Sequence, residues 1–171
     1  MMHKPHPGEY NSYFKRYLDL VPDGNFIDQL KDNTRAVVTF FESLPLEKHA
    51  YSYAPGKWTV KQVLLHLVDT ERVMSYRALA AARGDERSLL PGMDENLYAA
   101  NATADNRSMD DILGEFNAVR LATLKLFENV TNEQSEQTAN IASHLTTTRA
   151  LGYIIIGHAM HHLKILQDRY L

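Results

Sequence analysis

Apolar positions recur with helical spacing in four stretches of the chain, and polar or Pro/Gly-containing segments separate them. The first stretch, with Ile27, Leu30, Val37, Phe40 and Phe41 broadly on one side, predicts a helix from Phe26 to Ser43, stopped by Pro45. The segment YSYAPGKW then reads as a loop with Pro-Gly as its turn. The second stretch places Val60, Val63, Leu64, Leu67 and Met74 on one stripe. Its start is marked by Thr59 and Gln62, which have the spacing of a capping box, and Gly84 closes it after about Arg83. A third helix is predicted from the N-cap Ser108 to about Asn129. A fourth begins near Thr147 and runs almost to the end, with Leu151, Ile155, Ile165 and Leu166 along one face.

Residues 84–107 form a long connection with a turn at Pro91-Gly92, and a connection of that length inside a small domain is often functional. Residues 131–143 are a polar link with room for a short hairpin or turn. Residues 1–24, rich in Pro, Gly, Tyr and charge, read as an irregular lead-in closed by PDG. Within it, Tyr10, Tyr13, Phe14, Tyr17 and Leu18 are able to pack as a short helical cover. No repeat or shift in composition marks a second unit. The expectation is an all-α fold in which residues 25–171 make one four-helix bundle domain, with a single long connection between the second and third helices.

Composition narrows the function more than the fold. A chain of 171 residues suits one compact domain, and a formal net charge of −3, with acids and bases interleaved, leaves no electrostatic footprint for nucleic acid or an anionic membrane. The absence of cysteine excludes disulfides, thiolate metal ligands and a cysteine nucleophile, so any thiol chemistry needs a thiol from outside. The start, MMHKPHPGEY, lacks the apolar run of a signal peptide, and stretches such as LGYIII are too short to span a bilayer. The expected location is cytoplasmic.

The candidate chemistry lies in GHAMHHLKIL. His158 and His162 are about one helical turn apart and leave the same face as Leu151, Ile155, Ile165 and Leu166. Buried imidazoles need partners, and one divalent metal satisfies both. Sites with an open position usually take three protein ligands, and inward-facing side chains of a bundle supply them. His3 and His6 lie in the lead-in, His49 and His144 in predicted loops, and His161 about 60° off the pair. His66 is the one histidine on another predicted helix, at the flank of its apolar stripe, and is the favoured third ligand. Glu71, near the middle of that stripe, reads first as an ion-pair partner of Arg120, next as an acceptor for a histidine N–H, and last as a ligand. Asp69 and His161 are further candidates for holding a ligating ring in place. Ala159 stands where metalloproteases carry the glutamate of HExxH, which disfavours peptidase action. Tyr51, Tyr53 and Trp58 read as packing and loop anchors. Asp94 and Glu95 read first as solvated loop acids, and second as contacts to a cofactor or substrate.

From about residue 25 to 171 the chain resembles the DinB-like superfamily of metal-binding four-helix bundles, the group that includes the YfiT-like proteins. The resemblance rests on PGKWTVKQVLLHLVDTERVMSYRALAAARGD, LLPGMDENLY, EFNAVRLATL and RALGYIIIGHAMHHLKILQDRYL, in that order. It implies a divalent metal, typically zinc or nickel, held by His66, His158 and His162. It further implies a thiol S-transferase acting with a low-molecular-weight thiol on small electrophiles, as in stress response or detoxification. A homodimer is also within what it implies. A metal-dependent hydrolase is the alternative. A binding bundle without turnover, or a core in which the histidines only hydrogen-bond one another, are the remaining readings.

Overall fold

The computed structural model describes residues 2–171, so of the lead-in only Met1 lies outside it. Four long helices carry the fold: α2 (Phe26–Glu42), α4 (Val60–Ala82), α6 (Met109–Glu128) and α8 (Thr148–Arg169). Each starts where a side chain satisfies a first-turn amide. Asn25 accepts from Asp28, Ser108 from Asp111 and Thr147 from Ala150, while Thr59 and Gln62 form the complete capping box. Short helices lie in the lead-in, α1 (Lys15–Leu18), and in the links, α3 (Leu46–His49), α5 (Glu95–Asn101) and α7 (Asn132–Glu136). The architecture is the expected all-α bundle of four main helices.

The connections hold more order than their composition suggested. Strands β1 (Leu89–Leu90), β2 (Thr138–Ile141) and β3 (His144–Thr147) form a small sheet in the order β1-β2-β3. The long connection pairs in parallel with β2, matching Leu89 with Asn140 and Leu90 with Ile141, and β2 and β3 make an antiparallel hairpin. Ala139 and Ile141 alternate inward, so the hairpin adds to the apolar core.

The lead-in is equally committed. Its residues 12–18 are helical, with Tyr17, Leu18 and Val21 buried. Glu9 anchors it to the start of α8, accepting from Arg149 Nε at 2.6 Å and Nη2 at 2.7 Å and from Thr147 Oγ1 at 2.9 Å.

Two apolar clusters make up the core. One is built around Phe26, Leu30, Met74 and Ile154, the other around Val37, Leu64, Phe116 and Leu166. Between them lies a buried polar layer. Arg120 of α6 meets both carboxylate oxygens of Glu71 on α4, with Nε–Oε1 at 2.8 Å and Nη2–Oε2 at 2.8 Å. Its Nη1 donates to Asn33 Oδ1 of α2 at 2.9 Å, and Asn33 donates at 3.5 Å to the Ile156 carbonyl of α8. All four long helices therefore share one network. Glu71 is thus the ion-pair partner of Arg120, neither a ligand nor a support for a histidine. Removing one member of such a pair typically costs 3–5 kcal/mol, because the other charge stays buried.

Candidate metal centre

In the same layer α4 and α8 bring His66, His158 and His162 together. Their antiparallel packing sets His66, seven residues into α4, beside the middle of α8. His66 and His158 are buried and His162 is half-buried. One nitrogen from each ring lies within 4.8 Å of the other two. His158 Nε2 is 3.0 Å from His66 Nε2 and 3.1 Å from His162 Nε2.

That geometry is poor for hydrogen bonds and good for a cation. A ring nitrogen offers either one N–H or one lone pair, so His158 Nε2 cannot serve both neighbours well. Histidine nitrogens bind zinc at about 2.0–2.1 Å, which places tetrahedral ligand atoms of one ion about 3.3–3.4 Å apart, a few tenths of an ångström beyond the spacing seen here. Burial pushes His66 down to about 4. Burial, then the positive charge that His66 and His161 would add, pushes His162 to about 3. His158 is held well below the ordinary imidazole range by burial first and by its two partners next. At neutral pH the three imidazoles are neutral and each has one lone pair to offer, the form a metal requires.

The surroundings orient these rings. Thr70, one turn on from His66, places Oγ1 3.4 Å from His66 Nδ1 while its own hydroxyl points at the Met93 sulfur at 3.9 Å. This arrangement favours the proton on Nδ1 and leaves Nε2 facing its partners. Trp58 packs on His66 with ring centroids 4.7 Å apart, and Tyr17 meets His158 edge-on at 5.3 Å. Asp69 does not support a ligand ring. It is half-buried beside Arg72, 3.8 Å away. His161 turns towards Tyr17, at 5.2 Å between ring centroids, and stays outside the triad. Tyr53 packs on Tyr170 at 4.9 Å, and Tyr170 Oη donates to the Trp58 carbonyl, so these aromatics anchor the loop.

Two sizeable cavities reach the histidines among the described residues. A cavity of about 540 Å³ is bounded by the lead-in, α4, the 84–107 connection and the hairpin, with His66 and His158 in its wall. A second, of about 230 Å³, reaches His162 between Trp58, Lys57 and Arg169. Asp94 and Glu95 line the larger cavity, where Asp94 Oδ1 caps α5 by accepting from Asn96 and Leu97. Thr70, Arg77 and Met93 belong to the site although their sequence context did not single them out. The available signal was spacing, since His66, Thr70, Met74 and Arg77 share one face of α4.

A four-helix bundle with an inward-facing, largely buried histidine triad beside a cavity defines a class of bundle proteins with a metal-competent site. The chain belongs to the DinB superfamily, whose family model matches residues 29–166. No curated protein matches it in sequence. Among solved structures it resembles YfiT from Bacillus subtilis, described as "a probable metal-dependent hydrolase with an unusual four-helix bundle topology". The TM-score is 0.73 at 16% identity, covering 97% of this chain and 90% of that one. It also resembles a mycothiol-dependent maleylpyruvate isomerase, with a TM-score of 0.65 at 12% identity over 90% of this chain. The chain spans 62% of the isomerase's length. At these identities the likeness concerns the fold.

Proposed function

We propose that His66, His158 and His162 hold a divalent metal, zinc or nickel, and that the protein transfers a low-molecular-weight thiol to a small electrophile. When bound, such an ion supplies a Lewis acid that lowers the pKa of a thiol or a water to near neutrality. The three imidazoles provide neutral donors, and the Thr70 hydroxyl beside His66 Nδ1 favours the tautomer that leaves Nε2 free. Met74, Met93 and Ile154 give the larger cavity apolar walls that displace water from the reacting groups.

The observation that carries a transferase reading is the pair of cavities. Two organic reactants need two approaches to one centre, and the larger cavity reaches His66 and His158 while the smaller reaches His162. Hydrolysis needs one organic substrate and water, and the likeness to YfiT keeps it as the second reading. The cytoplasm, where thiols stay reduced, is the compartment this activity suits.

Metal analysis of protein purified without a histidine tag tests the site. About one ion per chain is expected in the wild type and a large loss in His158→Ala, whereas equal metal in both would refute the assignment. Conjugation assays with metal-loaded protein, cellular thiols and a panel of electrophiles test the reaction. Hydrolysis without conjugation would favour the second reading.

A further inference from the structure

The larger cavity holds a buried cation, Arg77, that makes no ion pair among the described residues. Arg77 lies on the same face of α4 as His66, Thr70 and Met74, and all four line that cavity. It is only 4% exposed. Its Nη2 donates to the Pro91 carbonyl at 2.6 Å, and its Nη1 faces the Met74 sulfur at 3.5 Å. Among the described residues no carboxylate lies within ion-pair distance of it.

The other well-buried arginines are neutralised: Arg120 by Glu71 and Arg149 by Glu9. A buried charge without an opposite charge is costly, and one carbonyl with one thioether does not replace a carboxylate. Burial holds its pKa below the ordinary value, yet a guanidinium stays protonated at neutral pH. The two acids in the cavity wall do not answer it, because Asp94 caps α5 and Glu95 is exposed.

We propose that Arg77 recognises a carboxylate on the small molecule that reacts at the histidines, so that this reactant is an amphipathic acid spanning the cavity. The assignment rests on the reading that the reaction takes place at His66, His158 and His162. Arg77 follows His66 by eleven residues, about 16 Å along a helix axis. Both side chains lean towards the helix N-terminus, and the longer Arg77 reaches further back, to the Met74 sulfur, which shortens the span. Met74, Met93, Ile141 and Ile154 line the same cavity, which suits an alkyl or aryl linker. The planar fork of Arg77 suits a carboxylate, which it binds through two parallel N–H···O bonds.

The test uses cobalt(II)-loaded protein titrated with 6-mercaptohexanoate and with 6-mercaptohexanol, reading the sulfur-to-cobalt charge-transfer absorption. The acid is expected to bind about tenfold tighter, equivalent to about 1.4 kcal/mol. Arg77→Met removes that preference by weakening the acid alone, and Arg77→Lys restores part of it. Mercaptoacetate, too short to reach across, shows no dependence on Arg77. Equal affinity for acid and alcohol in the wild type overturns the proposal. So does an equal loss for both in Arg77→Met, which would reduce Arg77 to an anchor for Pro91. A second arm needs no metal: calorimetric titration of metal-free protein with hexanoate and hexanol. If neither thiol produces an absorption band, the reading that a thiol reacts at a metal on the histidines fails. A hexanoate preference that disappears in Arg77→Met would then still uphold the anion site, and its absence would remove it.

Discussion

Imidazoles in an apolar interior are kept neutral, and that neutrality ties stability to pH. The ordinary imidazole value is 6.5, whereas burial puts His66 at about 4 and His162 at about 3. Above pH 6.5 neither the folded nor the unfolded chain is protonated at these sites, so they add no slope. As the pH falls below 6.5, the unfolded chain takes up protons that the folded chain refuses, and stability declines towards pH 4. Each such histidine contributes up to about 1.4 kcal/mol per pH unit in that window. Urea unfolding of metal-free protein between pH 7 and pH 4.5 should show this decline, with a shallower slope in His162→Gln. A flat profile would mean that the rings are not desolvated as the structure has them. The histidines were legible in the sequence because a four-residue repeat on an apolar face is a local pattern. Arg77 and Thr70 were not, because a helical arginine is usually solvent-exposed and only tertiary contact buries this one.

At the scale of elements, glycine positions separate packing from propensity. A Cβ on Gly157 of α8 would stand 2.2 Å from the Tyr17 carbonyl oxygen, so α1 lies on α8 only because this side chain is absent. Main-chain atoms cannot swing aside as a side-chain tip can. Gly157→Ala should destabilise by about 1–3 kcal/mol or more, and should loosen Tyr17 from His158. Gly114 on α6 has nothing within 4 Å of an added Cβ, so Gly114→Ala should stabilise by about 0.5–1 kcal/mol. Paired thermal unfolding of the two variants checks this, and shifts of the same sign would contradict the account. The four long helices were readable from periodicity and caps. The β2–β3 hairpin begins within the polar link that was expected to hold a hairpin or turn, whereas β1 was not readable, since its partner strand lies roughly fifty residues away, as Leu90 pairs with Ile141.

Across the whole molecule the lead-in is part of the packed body. Tyr17, Leu18 and Val21 are buried, and Asn11, Tyr13, Phe14 and Tyr17 wall the larger cavity. Three such side chains contribute roughly 4–9 kcal/mol of apolar burial as an upper estimate, comparable to the net stability of a whole domain. Deleting residues through 24 should lower the urea midpoint steeply and weaken ligand binding in the cavity. An unchanged midpoint would show the bundle to be self-sufficient from residue 25 onwards. The polar layer of Asn33, Glu71, Arg120 and the histidines also belongs to this scale, since its members come from all four long helices.

Apolar spacing, caps and breakers in the sequence determined the four helices and put His158 and His162 on one inward face, because these depend on residues a turn or two apart. The resemblance to a metal-binding bundle family was likewise carried by ordered local segments. Tertiary structure decided what depends on elements meeting: the distance from His66 to the pair, the commitment of Glu71 to Arg120 and the closing of the cavity by the lead-in and hairpin. It also left Arg77 buried with no carboxylate within ion-pair distance among the described residues. A charge's partner and its solvation are set by the chain segments packed around it, and no local pattern in the sequence specifies them.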